Sequence, residues 1–304
     1  MGCHNVRFTG LDVAPLAPDL GRFGVDWKFI QHDLRKPPMP FGEGEFDLIV
    51  VNDGTTVMPS GKDVRTNPIT ALKKYLRPGG CVEMLESDYI FRCLQAEPAA
   101  PPGSDLRNVR QAEETATYVI GPATPFSKTQ NCYLADYNRW IKKALQEKAI
   151  SVTPCAIMGY GVSAEAFGYD EVGCCRVAIP LSTIRWENDI DRGSLVSSAA
   201  PDKSKPSVMF SGRKGLTKSV GPVKEYKPLT DQQAVLRRTA LNVVVGLMES
   251  LEPVLMKESG KKQDEWDRWW AALMADMLEN EGTLNGESLE IGVWWARKAS
   301  TQEA

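Results

Sequence analysis

The chain has 304 residues, 42% of them hydrophobic, and sets 36 lysines and arginines against 39 aspartates and glutamates for a formal charge of −3. This is the make-up of a globular chain able to bury a sizeable core, as one large domain or as one domain with a substantial insertion. The slightly acidic balance supplies no basic stripe for a phosphate backbone, which excludes nucleic acid as the first choice of partner and favours a small-molecule or protein substrate.

From residue 6 to residue 87, short apolar runs end in acidic or polar residues and are separated by Pro/Gly turns or helical segments, the rhythm of a parallel α/β sheet. Four strands are predicted there, at 6–12, 27–33, 46–52 and 81–86. The third, Phe46-Asp47-Leu48-Ile49-Val50-Val51, is nearly continuous in apolar residues, which predicts cover on both faces and a place in the middle of the sheet. Thr66-Asn67-Pro68-Ile69 opens a helix with a capping residue ahead of a proline, and Arg77-Pro78-Gly79-Gly80 stops it. After a Pro-rich connection at 97–103, residues 131–148 place Tyr133, Tyr137, Trp140 and Leu145 at helical spacing, and 172–181 reads as a strand closed by Pro180. Segment 194–228, rich in Ser, Lys, Pro and Gly, lacks periodic apolar positions and is expected to be a flexible insertion. Helices at 231–257 and 263–279 and a final strand at 291–297 follow. The expected organisation is a core at 1–193, the insertion at 194–228, a helical cap region at 229–290 and a strand within 291–304 that returns to the core sheet.

None of the seven cysteines forms a Cys-x-x-Cys pair, and the adjacent Cys174 and Cys175 cannot readily bridge each other in regular structure. Reduced, mostly buried thiols are expected, with no zinc or other metal site. His4, Asn5 and Arg7 stand where a signal peptide needs an unbroken apolar stretch, and the apolar run 243–256 is short and contains Glu249 and Glu252. A cytoplasmic or nuclear protein without membrane association is the expectation.

Gly10-Leu11-Asp12 places a carboxylate at the end of a strand, where open α/β sheets bind nucleotides and an acceptor pair can hold two ribose hydroxyls. A strand-end aspartate serves equally as a turn or helix cap. Next come Gln31-His32-Asp33-Leu34, a proline-phenylalanine linker at 37–45, the Phe46-Asp47-Leu48 strand, and Leu76-Arg77-Pro78-Gly79-Gly80 ahead of a further strand. In this order the landmarks resemble the S-adenosylmethionine-dependent methyltransferase superfamily of the seven-strand Rossmann-like kind. The helix around Trp140, the strand 172–181 and Trp294-Trp295-Ala296-Arg297-Lys298 look like the family's later helix, sixth strand and seventh strand. Glu86-Ser87-Asp88-Tyr89, Thr124-Pro125-Phe126 and Asp136-Tyr137-Asn138 are similar to stretches of its fungal members.

The resemblance implies an α/β fold with sheet order 3-2-1-4-5-7-6, S-adenosyl-L-methionine as cofactor, and methyl transfer to a small-molecule acceptor, through oxygen, in specialised metabolism. Carried over residue by residue, it gives Asp12, with Val13 beside it, to the ribose hydroxyls and Asp33 to the adenine amino group. The backbone N–H of Leu34 faces an adenine ring nitrogen, and Asn52 and Asp53 border the methionine part and the methyl group. Asp33 has a rival role in capping the turn before Arg35, and Asp53 with Gly54 in a tight turn. The family's first strand, its acidic-glycine-x-glycine loop and the following helix should precede the strand 6–12, where only residues 1–5 lie. The resemblance therefore implies a sheet without its first strand and without the backbone cradle for the amino-acid end of the cofactor. The edges of 6–12 and 46–52 would then be unpaired unless they close on each other. The alternative to an enzyme is a catalytically inactive or truncated relative that binds a protein partner or a second copy of itself.

Methyl transfer from a sulfonium demands alignment and desolvation, sometimes with a general base. Glu86 and Asp88, just beyond Leu85, and His32, beside Asp33, are the candidates for that base; His4 is expected to be solvated. Trp266, Trp269, Trp270 and Met274 repeat at helical spacing and serve either as packing or as the roof of a pocket. Residues 212–219 have the outline of a phosphate loop, but Thr217 stands where glycine is needed, so solvated linker is the expectation.

Overall fold

A computed structural model describes residues 6–15, 18–36, 38–54, 72–161, 169–188, 228–279 and 282–300. The helix expected to open at Thr66, the flexible insertion up to residue 227 and the outline at 212–219 lie outside the described residues. The strands are, in chain order, β1 (Arg7–Asp12), β2 (Asp26–Gln31), β3 (Phe46–Asn52), β4 (Leu76–Ser87), β5 (Arg92–Leu94), β6 (Tyr118–Val119), β7 (Phe126–Lys128), β8 (Glu171–Pro180) and β9 (Glu287–Arg297). The longer helices are α1 (Leu106–Thr115), α2 (Cys132–Glu147), α3 (Pro154–Gly161), α4 (Asp231–Ser250), α5 (Glu252–Ser259) and α6 (Gln263–Leu278). Two compact units result, one from Met1–Ile90, Tyr137–Val177 and Glu290–Ala304, the other from Phe91–Asp136 and Ala178–Leu289.

In the first unit β1 pairs parallel with β2, from Arg7 opposite Asp26 to Asp12 opposite Gln31. Separately, β3 pairs parallel with β4, β4 pairs antiparallel with β9, and β9 also borders β8. Among the described residues β1 and β3 meet no further strand, and they do not close on each other. This corrects the expectation for 46–52: β3 ends its sheet rather than occupying the middle. Ile49 and Val51 pack into the core, whereas Leu48 and Val50 keep 51% and 52% of their surface exposed. The two-sided apolar pattern calls for a cover that the described residues do not provide.

The turn expected at Arg77-Pro78-Gly79-Gly80 lies inside β4. Phe46 stands opposite Leu76 and Leu48 opposite Cys81, so the extra residues of β4 bulge out of the ladder. Gly79 takes a φ of 76°, and a Cβ on Gly80 would meet the carbonyl oxygens of Arg77, Asp47 and Phe46 at 3.0–3.2 Å. Past the bulge, strict alternation sends Val82, Met84 and Glu86 to the buried side. Ala296, Trp294 and Glu290 of β9 are likewise buried, and Met84 lies opposite Trp294. The core around this ladder includes Leu72, Tyr75, Leu76, Cys155 and Met158.

In the second unit β5 pairs antiparallel with β7 and with the first residues of β9. Asp105 caps α1, its carboxylate accepting from the N–H of Arg107. The helix expected at 231–257 breaks at Leu251 into α4 and α5, which bend by 65° with a proline in the first turn of the second. Thr230 and Gln233 close a capping box at the start of α4. On α6 Trp266 is fully buried and Trp269 nearly so, with the Trp266 indole donating to Glu252 at 2.9 Å, which makes this aromatic group helix packing. No single described helix is long and apolar enough to cross a membrane. Of the six described cysteines only Cys93 and Cys155 are buried, fewer than expected. Adjacent strand residues face opposite sides, so Cys174 and Cys175 on β8 cannot share one interior.

The best-organised polar feature of this unit is Arg237, buried on α4, whose guanidinium meets both oxygens of Glu187 at 2.7 and 2.8 Å. The same guanidinium donates to the carbonyls of Ser182 and Ala116, while Glu187 also accepts from the Tyr118 hydroxyl and the Ile184 N–H. Burial pushes the Glu187 carboxyl up, but these hydrogen bonds and the Arg237 charge outweigh it and hold the group below its ordinary 4.5. A depressed carboxyl contributes stability that is present above its unfolded value and lost as pH falls through the folded one. Arg237→Met should therefore cost about 3–5 kcal/mol in urea unfolding at neutral pH, because it strands a buried carboxylate. The loss should shrink as pH is lowered below 4.5; a loss independent of pH would refute the assignment.

Candidate functional site

The carboxyl ends of β1 and β3 border one cavity of 390 Å³ in the first unit. Thr9, Gly10, Leu11, Asp12 and Val13 line one side, and Leu48, Ile49, Val50, Val51 and Asn52 line the other. Five consecutive residues of a strand alternate between its faces, so what turns toward the cavity is the backbone edge of each strand. Of the residues singled out in the sequence, Asp12, Val13, His32, Leu34 and Asn52 come together here. Asp33, Asp53, Glu86 and Asp88 are not among its lining residues.

Asp12 is exposed at the tip of β1, where Oδ1 accepts from the N–H of Ala14 at 3.0 Å and leaves Oδ2 as an acceptor at the rim. Gln31 donates to the carbonyl of Val13, and the N–H of His32 to that of Asp12, so the ends of β1 and β2 are tied side by side. The His32 ring donates from Nε2 to the carbonyl of Lys36 at 2.8 Å, which clamps the turn. Asp33 is taken up by its neighbour: the Arg35 side chain meets both carboxylate oxygens at 2.8 and 3.0 Å, and the Arg35 N–H adds a third bond. Those hydrogen bonds, side chain first, hold the Asp33 carboxyl down at about 2.

At the end of β3, Asn52 lines the cavity and Asp53 turns the chain with a φ of 49°, a left-handed conformation that costs a residue with a Cβ about 1–2 kcal/mol. Crowding by surrounding atoms raises the Asp53 carboxyl, although Ser87 opposes this with a hydrogen bond at 3.4 Å. A left-handed backbone and a raised carboxyl thus coincide at the rim of the parallel sheet. Sequence patterning alone does not reveal them, because Asp-Gly reads as an ordinary turn.

Glu86 and Asp88 lie deeper than a rim position. Glu86 is 2% exposed and Asp88 fully buried. Asp88 accepts from the N–H of Cys155 at 2.9 Å, and the Cys155 thiol donates to the Glu86 carbonyl at 3.3 Å. Glu290 completes the buried acidic side, with the Arg176 guanidinium 3.5 Å from it. One Glu86 oxygen comes within 3.5 Å of where a Gly54 Cβ would stand, so this carboxylate underlies the Asp53–Gly54 turn. Cys155, Arg176 and Glu290 gave no signal in the sequence, since their meeting depends on the pairing of β4 with β9.

No protein-family model and no curated protein matches the chain. Among solved structures, phosphoethanolamine N-methyltransferase 2 of Haemonchus contortus, in complex with phosphomonomethylethanolamine and S-adenosylhomocysteine, aligns with 97% of this chain and 44% of its own at 9% identity and a TM-score of 0.31. A candidate methyltransferase of Bacillus halodurans aligns with 97% of this chain and 84% of its own, at 10% identity and a TM-score of 0.34. The cyclase SpnF aligns with 97% and 68%, at 12% identity and a TM-score of 0.32. The chain thus spans less than half the length of the first of these. At such scores the likenesses carry no argument about this chain, and the functional case rests on its own strands and residues.

The Asp33–Arg35 pair gives a direct test of the local geometry. In Arg35→Ala the Asp33 carboxyl should titrate near the ordinary 3.8 rather than about 2, as followed by carboxyl-carbon NMR. An unchanged titration would mean that Arg35 does not hold it.

Proposed function

We propose that this chain is an S-adenosylmethionine-dependent methyltransferase that acts on a small-molecule acceptor. What supports this most is strand order. Taking β1 to β4 as the family's second to fifth strands and β8 and β9 as its sixth and seventh, the pairs β2–β1 and β4–β9–β8 are the neighbours that an order of 3-2-1-4-5-7-6 requires. Among the described residues the slot left open falls between β1 and β3, where a first strand would belong. Methylation at oxygen, specialised metabolism and a fungal type rest on the sequence resemblance alone.

The fit of the cofactor to these residues is partial. The Asp12 carboxylate can accept from ribose hydroxyls, Leu34 lines the same cavity, and Asn52 lies across it. Asp33 would have to exchange Arg35 for an adenine amino group. Among the described lining residues there is no glycine-rich loop for the amino-acid end; Gly10 lies within β1, its missing side chain making room for the Trp27 ring. When bound, the cofactor supplies an electrophilic methyl on sulfur. The chain's own contribution is then to hold the nucleoside at Asp12, to present the Asp53 turn at the rim, and to keep the Glu86 carboxyl buried beneath it. His32 serves the turn rather than proton transfer.

The exposed edges favour a second reading, a protein-interaction module without catalysis. Phe8, Leu48 and Val50 expose about half their surface beside backbone that no described strand pairs, a template on which another strand can pair. Calorimetry with S-adenosylmethionine separates the two. The 304-residue chain should bind weakly, whereas a version carrying a strand and glycine loop ahead of Val6 should bind at micromolar concentration. In that version Asp12→Ala should lose about 1–3 kcal/mol of binding free energy. No binding by the extended version, or no effect of Asp12→Ala in it, would leave the interaction module as the answer.

A further inference from the structure

We draw no further inference here: the strongest candidate, the 710 Å³ cavity of the second unit bordered by α1, by β6 and by the helical turn Arg185–Asn188, has its Tyr118 and Trp186 rings packed with Leu94, Ile120 and Ala178 and its Glu187 closed on Arg237, so nothing in the structure shows what it would hold.

Discussion

The antiparallel ladder between β4 and β9 is the element on which the rest of the first unit depends. Its register puts Met84 opposite Trp294 and Val82 opposite Ala296 on the buried side, and β3 and β8 attach to its two outer edges. The same register decides which polar groups go inside. Once Val82 and Met84 face the core, a period of two obliges Glu86 to follow them, and Glu290 is taken in along the equivalent face of β9. Buried carboxylates are costly unless compensated, so the Cys155 N–H on Asp88 and the Arg176 guanidinium beside Glu290 are required by the ladder.

This explains which parts were legible in the sequence. The strands at 7–12, 26–31 and 46–52 announce themselves by apolar runs with polar ends, and their carboxyl-end residues could be named because a parallel strand delivers its last residue to the rim. Asp12, Leu34 and Asn52 accordingly meet at one cavity. The depth of Glu86 and Asp88 was not legible, although alternation from Val82 pointed to it. Their burial needs a partner strand supplied from the far end of the chain. Nor was the start of β4 readable, because Pro78-Gly79-Gly80 looks like a turn and only the neighbouring backbone oxygens of β3 reveal that it is a bulge within a strand. The short strands β5, β6 and β7 are of two or three residues, too short for any periodic signal.

The two units treat polarity in contrasting ways. In the second, Arg237 and Glu187 satisfy each other with several surrounding carbonyls, hydroxyls and N–H groups, so a full charge pair sits in the interior with both terminal guanidinium nitrogens engaged and only the Arg237 Nε left over. In the first, the backbone polar groups along one side of β1 and of β3 face a cavity, and the apolar side chains beside them stay half exposed. The first arrangement is nearly complete within the described residues. The second invites occupancy, whether by a strand, by a ligand at the rim or by another protein.

The pairing of Cys81 with Arg297 and of Ser87 with Ile291 joins positions more than two hundred residues apart. A chain emerging from the ribosome therefore holds β4 with one of its sides bare until nearly everything between has been synthesised. Contacts of such long sequence separation form slowly, and an unsatisfied strand edge in the meantime is a target for aggregation. Nascent chains of this protein should be clients of chaperones that shield extended apolar segments, and their dependence on that protection should end only when β9 leaves the exit tunnel.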